Sequence, residues 1–250
     1  MVMITITLSP DEARRRLREV RILTDVNDAD LDILAAASTW QLVEAGEEMV
    51  SHLTRDTHVF FAVEGAFSAK LKTALGRQVT FRQMSAGAHF GEIAALTDTP
   101  RSVAVVADTA GLVAECPAEA FSALIARSGV FALAVSAHLA RTVVALTDRV
   151  FELAALEMRF RVYAELLRLA ATGEQTERGV LIREAPTHEV IASTVGAQRE
   201  AVNRELRSLA KDGVIQQTKR ELLIIDIERL RESLHRRAGA TTSEAVDWRL

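Results

Sequence analysis

Phe90-Gly91-Glu92-Ile93-Ala94-Ala95-Leu96-Thr97-Asp98-Thr99-Pro100-Arg101-Ser102 packs a glycine, a carboxylate and a guanidinium into one short, mostly apolar segment. A phosphate is gripped by backbone N–H groups that approach it closely, which favours glycine and small residues, and by a planar cation that binds two of its oxygens at once. Gly91 and Arg101 are of those types. A sugar hydroxyl needs an acceptor held nearby, and Glu92 opens the short apolar turn Ile93 to Leu96, whose N-terminus itself favours an anion. The segment reads as a clamp for a sugar phosphate. A surface ion pair of Glu92 with Arg101 beside an ordinary turn glycine is the other reading that the spacing allows.

Outward from this stretch, residues 39 to 116 form short runs rich in Val, Phe and Thr, punctuated by Ala45-Gly46, Glu64-Gly65, Leu75-Gly76, Ala86-Gly87 and the turn ending at Gly111. Turns at such regular intervals predict an antiparallel barrel or sandwich. Gly-Glu, a small apolar run, a Thr-Pro turn and then Arg-Ser, with Arg nine positions after Glu, resembles the phosphate-binding cassette of cyclic-nucleotide-binding domains. The turns Val43-Glu-Ala-Gly-Glu and Val63-Glu-Gly are similar to those of the same β-roll, so the likeness covers the domain.

Before the roll, Ser9-Pro10-Asp11-Glu12 predicts a helix start, with Ser9 as cap and Pro10 in the first turn, and residues 28 to 37 carry aliphatic side chains at helical spacing. After Pro117 the chain reads as helical to about Ala171, with Gly129 the one interruption. Leu139, Val143, Leu146, Val150 and Leu153 recur in steps of four and three, extended backwards by Ala132 and Ser136. That seam predicts a parallel homodimer, with packing on the helix's own domain as the other use of such a stripe. Arg141 and Asp148 on other faces keep the stripe narrow and favour the dimer.

Residues 188 to 207 have the pattern of a helix-turn-helix: Ala192 allows close helix approach, Gly196 takes the turn, and Ile191, Val195, Val202 and Leu206 face inward. The second helix then presents Gln198, Arg199, Glu200, Asn203 and Arg204 outward. These types suit base edges, with Arg for guanine, Gln or Asn for adenine and Glu for cytosine; a solvated helix face would carry similar residues. Alternation from Val214 to Ile225 predicts a hairpin wing with Lys219 and Arg220 at its tip, and Gly179-Val-Leu-Ile fits a further strand of that small sheet.

In this order the parts resemble the CRP/FNR family of bacterial transcription factors, leaving only the N-terminal segment and residues after about 237 outside the likeness. The resemblance implies an α+β fold with an N-terminal antiparallel, jelly-roll-like β-roll (1–128), a dimerisation helix (129–157), a winged helix-turn-helix domain (158–237) and a tail (238–250). It implies Gly91, Glu92, Ile93, Ala94, Arg101 and Ser102 as ligands of a cyclic nucleotide. Arg199, Glu200 and Arg204 match the family's Arg-Glu-x-x-x-Arg reading triplet. The implied partners are double-stranded DNA, a second copy of the chain and RNA polymerase. Where the family's cyclic-AMP receptor presents a Thr-Ser pair to adenine, continuous alignment puts Leu146-Thr147. Leucine has no hydrogen-bonding group for a purine edge, so cyclic GMP, held partly by Ser102, rivals cyclic AMP. A regulator that binds DNA constitutively, its pocket degenerate or differently liganded, is the alternative that Leu146 favours.

Composition agrees with this outline. At 250 residues and 49% hydrophobic content the chain suits two modest domains. Residues 158 to 237 carry 15 Lys/Arg against 12 Asp/Glu, a balance of +3 that leaves −7 elsewhere from a net charge of −4. The C-terminal part is thus the one suited to a phosphate-bearing partner. Cys116, the lone cysteine, excludes an intramolecular disulfide, a cysteine-based zinc site and iron–sulfur sensing. His52, His58, His89 and His138 show no haem motif, His89 is given no role, and no metal is expected. No nucleophile–base pair or Walker loop supports an enzyme. Without a basic, apolar leader or an apolar span uninterrupted by charge, the expected location is the cytoplasm, with no membrane partner.

Overall fold

The structure, a computed structural model, describes residues 4–72, 78–218 and 220–238. It divides into two compact units, Met1–Val144 and Ala145–Leu250.

The first unit opens with strand β1 (Ile4–Ile6) and helix α1 (Pro10–Arg18), followed by a 3-10 turn at Arg21–Leu23 and helix α2 (Asp28–Ala37). Ser9 caps α1 by accepting from the Glu12 N–H, and Asn27 caps α2 through Asp30, so both helices start where their sequence signals lie. Strands β2 (Thr39–Val43), β3 (Glu48–Val50), β4 (Val59–Glu64), β5 (Ala66–Lys72), β6 (Gln78–Ser85) and β7 (His89–Phe90) lead to helix α3 (Glu92–Thr97). Strands β8 (Ala104–Ala107) and β9 (Gly111–Cys116) then complete two antiparallel sheets, ordered β1-β2-β9-β4-β7 and β3-β8-β5-β6. The short strand β1, absent from the sequence reading, extends the first sheet by pairing Ile4 with Leu42 and Ile6 with Trp40.

The run Val59-Phe60-Phe61-Ala62-Val63 is buried throughout because β4 is covered on both faces. Val59, Phe61 and Val63 join Trp40, Leu17 and Leu31 in a core shared with the helices, whereas Phe60 and Ala62 join Phe67, Met84 and Phe90 between the sheets. Phe90 stacks on Phe60 at 5.1 Å between ring centroids, which fixes the residue immediately before Gly91. Helix α4 (Ala118–Arg127) adds Phe121 and Leu124 to the helical core.

Helix α5 (Gly129–Ala155) runs from the first unit into the second, where helix α6 (Met158–Ala171) follows after a break. Nothing in Leu156-Glu157 announces that break, and the sequence reading carries one helix through it. In the fold Leu156 is buried in the second core, and Arg168 of α6 binds Glu152 of α5 at 2.6 Å. Tertiary contacts therefore divide the helix there. Strands β10 (Glu174–Thr176) and β11 (Gly179–Ile182), helices α7 (His188–Val195) and α8 (Arg199–Lys211), strands β12 (Ile215–Gln217) and β13 (Leu222–Ile224), and helix α9 (Ile227–Ala238) complete the unit. The sheet order β10-β11-β13-β12 includes the expected wing hairpin and the strand at Gly179. Helix α9, also missed by the sequence reading, closes this core with Leu230 and Leu234. The architecture is α+β: an antiparallel β-roll, a long helix and a winged helix-turn-helix.

Candidate functional site

Gly91 caps α3 in the left-handed region, at φ +93°, where an L side chain is strained. A Cβ there would lie 2.6 Å from the His58 carbonyl oxygen and 2.7 Å from Arg101 Nη1. The missing side chain is what lets the Arg101 guanidinium lie against the backbone. Arg101 is 2% exposed; its Nη1 donates to the Gly91 carbonyl at 3.0 Å, and Nη2 to the His58 carbonyl at 2.6 Å and to Asp56 Oδ2 at 2.5 Å. Its own backbone is held to the 51–58 loop, with the Arg101 N–H on Thr54 O at 2.9 Å and the Leu53 N–H on Arg101 O at 3.0 Å.

The Nε of Arg101 is buried without a hydrogen-bond partner. An unpaired buried guanidinium donor is costly, and an anion's oxygen would satisfy it. In α3 the first intrahelical bond runs from the Ala95 N–H to Gly91 O at 3.3 Å, so the N–H groups of Ile93 and Ala94 precede it at the positive end of the helix. Ala94 is buried, while Ile93 and Ser102 are exposed. The segment thus brings a buried cation, small residues and a helix start together.

Sequence reading missed Asp56, which faces Arg101 across the chain and also meets His58 Nδ1 at 2.5 Å. Burial works against ionisation of Asp56, but hydrogen bonds from Arg101 and His58 outweigh it and hold the carboxyl below its ordinary range. No local motif marks Asp56, because its partner arrives from a distant turn.

Glu92 is 4% exposed and points into a cluster of histidines. His138 Nε2 lies 3.7 Å from Glu92 Oε1, and the rings of His89 and His138 stand 4.3 Å apart. Burial opposes the Glu92 charge, yet the contact with His138 keeps its carboxyl below the usual range. Burial pushes the His89 imidazole down to about 3. Beside these groups is a cavity of about 390 Å³ lined by Arg21, Arg82, His89, His138 and Arg141 among others. Arg82 and the meeting of His89 with His138 also escaped the sequence reading, since they come from β6, β7 and α5. Cys116 is buried, with its thiol pushed up to about 12 by burial, and offers no reactive sulfur.

Leu146 and Thr147, predicted to meet a nucleotide base, belong to the second unit and are exposed on α5. Val143, Leu146, Val150 and Leu153 of the predicted seam are 62%, 49%, 66% and 48% exposed, while Leu139 packs against the helical core. By length and composition α5 could cross a membrane, with a mean hydropathy of 1.7 over 18 residues. Arg141, Asp148, Arg149 and Glu152 nevertheless lie along it, and Glu152 is fully buried between Arg149 and Arg168.

The helix-turn-helix is built from α7 and α8. Gly196 ends α7 at φ +65°, and Ile191, Ala192, Val195, Val202 and Leu206 are all buried, as predicted. Gln198, Arg199, Glu200 and Arg204 are exposed and Asn203 is half-buried, so all five lie on the accessible part of α8 and its N-cap. Tyr163 of α6 donates to Glu205 at 2.7 Å and fixes α8 from within the domain. Among the described residues, neither Arg199 nor Arg204 has an ion-pair partner. Arg220 is exposed at the wing tip, which is closed by the Thr218 N–H on Glu221 O at 2.9 Å; Lys219 lies outside the described residues.

Two family models match the chain: the cyclic nucleotide-binding domain over residues 40–128 and the Crp-like helix-turn-helix domain over residues 160–233. Among curated relatives, the cAMP-activated global transcriptional regulator CRP of Escherichia coli is 27% identical over 158 residues, covering 63% of this chain and 75% of that protein. The cAMP-dependent protein kinase regulatory subunit of Yarrowia lipolytica is 32% identical over 109 residues, covering 44% of this chain and 28% of that protein. Among solved structures, a CooA mutant from Carboxydothermus hydrogenoformans has a TM-score of 0.74 at 18% identity, covering 86% of this chain and 95% of its own. The c-di-GMP responsive global regulator CLP of Xanthomonas campestris has a TM-score of 0.68 at 18% identity, covering 79% and 99%. At these identities the structural likeness speaks for the fold. With a β-roll that matches the cyclic nucleotide-binding domain ahead of a Crp-like helix-turn-helix DNA-binding domain, the chain belongs to the CRP/FNR family of transcription regulators.

Proposed function

We propose that the protein is a homodimeric, sequence-specific DNA-binding regulator whose DNA affinity is set by a cyclic nucleotide, cyclic AMP or cyclic GMP. The phosphate would be held by Arg101 and the N–H groups at the start of α3, with Gly91 giving close approach, and the ribose by Glu92 and Ser102. Leu146 and Thr147 would meet the base. Gln198, Arg199, Glu200, Asn203 and Arg204 would read base edges, and Lys219 and Arg220 would contact phosphates. In this reading residues 1–128 sense the nucleotide, 129–157 dimerise and 158–237 bind DNA, from the cytoplasm and with RNA polymerase as a further partner.

The observation that carries the sensing role is the unpaired Nε of a guanidinium that is 2% exposed beside a glycine it requires. A cation held that way is pre-organised for an anion, so its orientation is set before binding. Ligand and DNA are then coupled through the dimer, because two recognition helices must enter major grooves about 34 Å apart. A nucleotide that favours one arrangement tightens DNA binding by its differential affinity, typically about 1–3 kcal/mol.

Calorimetric titration with cyclic AMP and cyclic GMP, each with and without DNA, tests the reading. Arg101→Leu abolishes nucleotide binding while the fold survives; unchanged binding would sink the pocket assignment. A second reading is a regulator that binds DNA constitutively. The ion pair of Asp56 with Arg101 favours it, because an internal carboxylate already neutralises the cation that a phosphate would use. Equal DNA affinity with and without either nucleotide would select it.

A further inference from the structure

His89 comes from β7, Glu92 from the first turn of α3 and His138 from α5, and one donor atom from each lies within 4.8 Å of the other two. His89 and Glu92 are 2% and 4% exposed, and the His138 side chain is 13% exposed. A buried carboxylate with one histidine is an ordinary hydrogen-bonded pair and calls for nothing more. His89 does call for more: its Nε2 is buried and has no hydrogen-bond partner. Orphaned buried polar atoms are uncommon because each keeps its full desolvation cost.

We propose that His89, Glu92 and His138 form a binding site for a divalent transition cation of the zinc class. Two imidazoles and one carboxylate are a donor set that such cations favour, whereas magnesium and calcium take oxygen ligands. Donors of a tetrahedral zinc site stand about 2.0–2.2 Å from the metal, hence about 3.4 Å from one another, so the three side chains draw inward by about 1 Å. The cavity of about 390 Å³ against His89 and His138, lined also by Arg21, Arg82 and Arg141, leaves the cation's fourth position to water or a small anion. Arg82 Nη1, at 3.5 Å from His138 Nε2, is the group a bound cation displaces, and the same cavity has room for it. The site shares Glu92 with the proposed ribose contact but does not rest on that contact.

The test uses the full chain, stripped with a chelator and free of nucleotide, titrated with zinc chloride by calorimetry and with cobalt(II) chloride by visible absorption. One zinc per chain is expected, with cobalt giving the absorption of a tetrahedral centre. His89→Gln and His138→Gln each weaken zinc binding by roughly 10–100-fold or more. Arg82→Gln strengthens it by removing the competing charge, and His52→Gln leaves it unchanged. Circular dichroism of each variant checks the fold; if His89→Gln unfolds, His138→Gln and Arg82→Gln decide. Zinc uptake that is absent from the unmodified chain, or undiminished in His138→Gln, overturns the proposal. Arg101→Leu retains zinc affinity while losing the nucleotide, so failure of the metal site and failure of the nucleotide site give different results.

Discussion

A Cβ at position 91 would meet the His58 carbonyl and the Arg101 guanidinium, and the φ of +93° adds backbone strain of about 1–3 kcal/mol. Gly91→Ala therefore lowers stability by that amount and displaces Arg101, so nucleotide affinity falls with it; denaturant unfolding and calorimetry read the two effects, and loss of neither refutes the packing role. Asp56 yields a pH dependence. Its carboxyl titrates below the ordinary value of 3.8 in the fold, so its contribution to stability is present above that value. The contribution is lost as pH falls through the lowered native value, because the unfolded chain then binds the proton more readily. The unfolding midpoint measured between about pH 2 and 5 should drop less steeply in Asp56→Asn than in the unmodified protein. Gly91, Glu92 and Arg101 stand close together along the chain, so the sequence could mark them as one cassette, and the fold sets Arg101 against the Gly91 carbonyl. Asp56, His58 and Arg82 were not legible in the sequence, because what joins them to the site is strand pairing across long separations.

Helix α8 buries Val202, Leu206 and Leu209, which leaves Arg199, Glu200 and Arg204 on the exposed face that the proposed function assigns to DNA. Arg199→Ala should cost about 1–3 kcal/mol on the preferred operator and relax preference at one base position. Arg220→Ala should instead weaken binding to all sequences and reduce the salt slope by about 1. Parallel salt titrations on specific and random duplexes separate these outcomes, and identical behaviour of the two variants removes the division between base and phosphate contacts. At the junction of α5 and α6, Glu152 is wholly buried and shared by Arg149 and Arg168. Arg168→Met leaves that carboxylate with Arg149 as its one ion-pair partner among the described residues and should destabilise the protein by about 3 kcal/mol in chemical denaturation. Helical periodicity placed α2 and both helices of the helix-turn-helix, since each carries its own buried stripe, and Asn27 and Thr187 cap α2 and α7. It missed the break after Ala155 because Leu156 and Glu157 are fair helix formers, and the break is set by what Leu156 and Arg168 touch.

On the scale of the whole molecule, Val143, Leu146, Val150 and Leu153 leave an apolar stripe open along α5, and a second copy of the chain is the partner that the heptad spacing fits. In the proposed dimer, Val150→Asp should give a monomer in sedimentation equilibrium and reduce affinity for a two-half-site operator far more than for a single half-site. A variant that stays dimeric would place the interface elsewhere. The sequence by itself determined the order of β-roll, long helix and winged helix-turn-helix, because each is encoded by local signals: turn glycines, capping residues, periods of two and of about 3.6, and a compact cassette. Only the tertiary structure decided that Arg101 is shared with Asp56, that Glu92 faces two histidines, and that the helix breaks after Ala155. Those outcomes depend on which side chains reach the same buried volume from distant strands and helices, and the energy of burying a charge is settled by its spatial neighbours, whatever their distance along the chain.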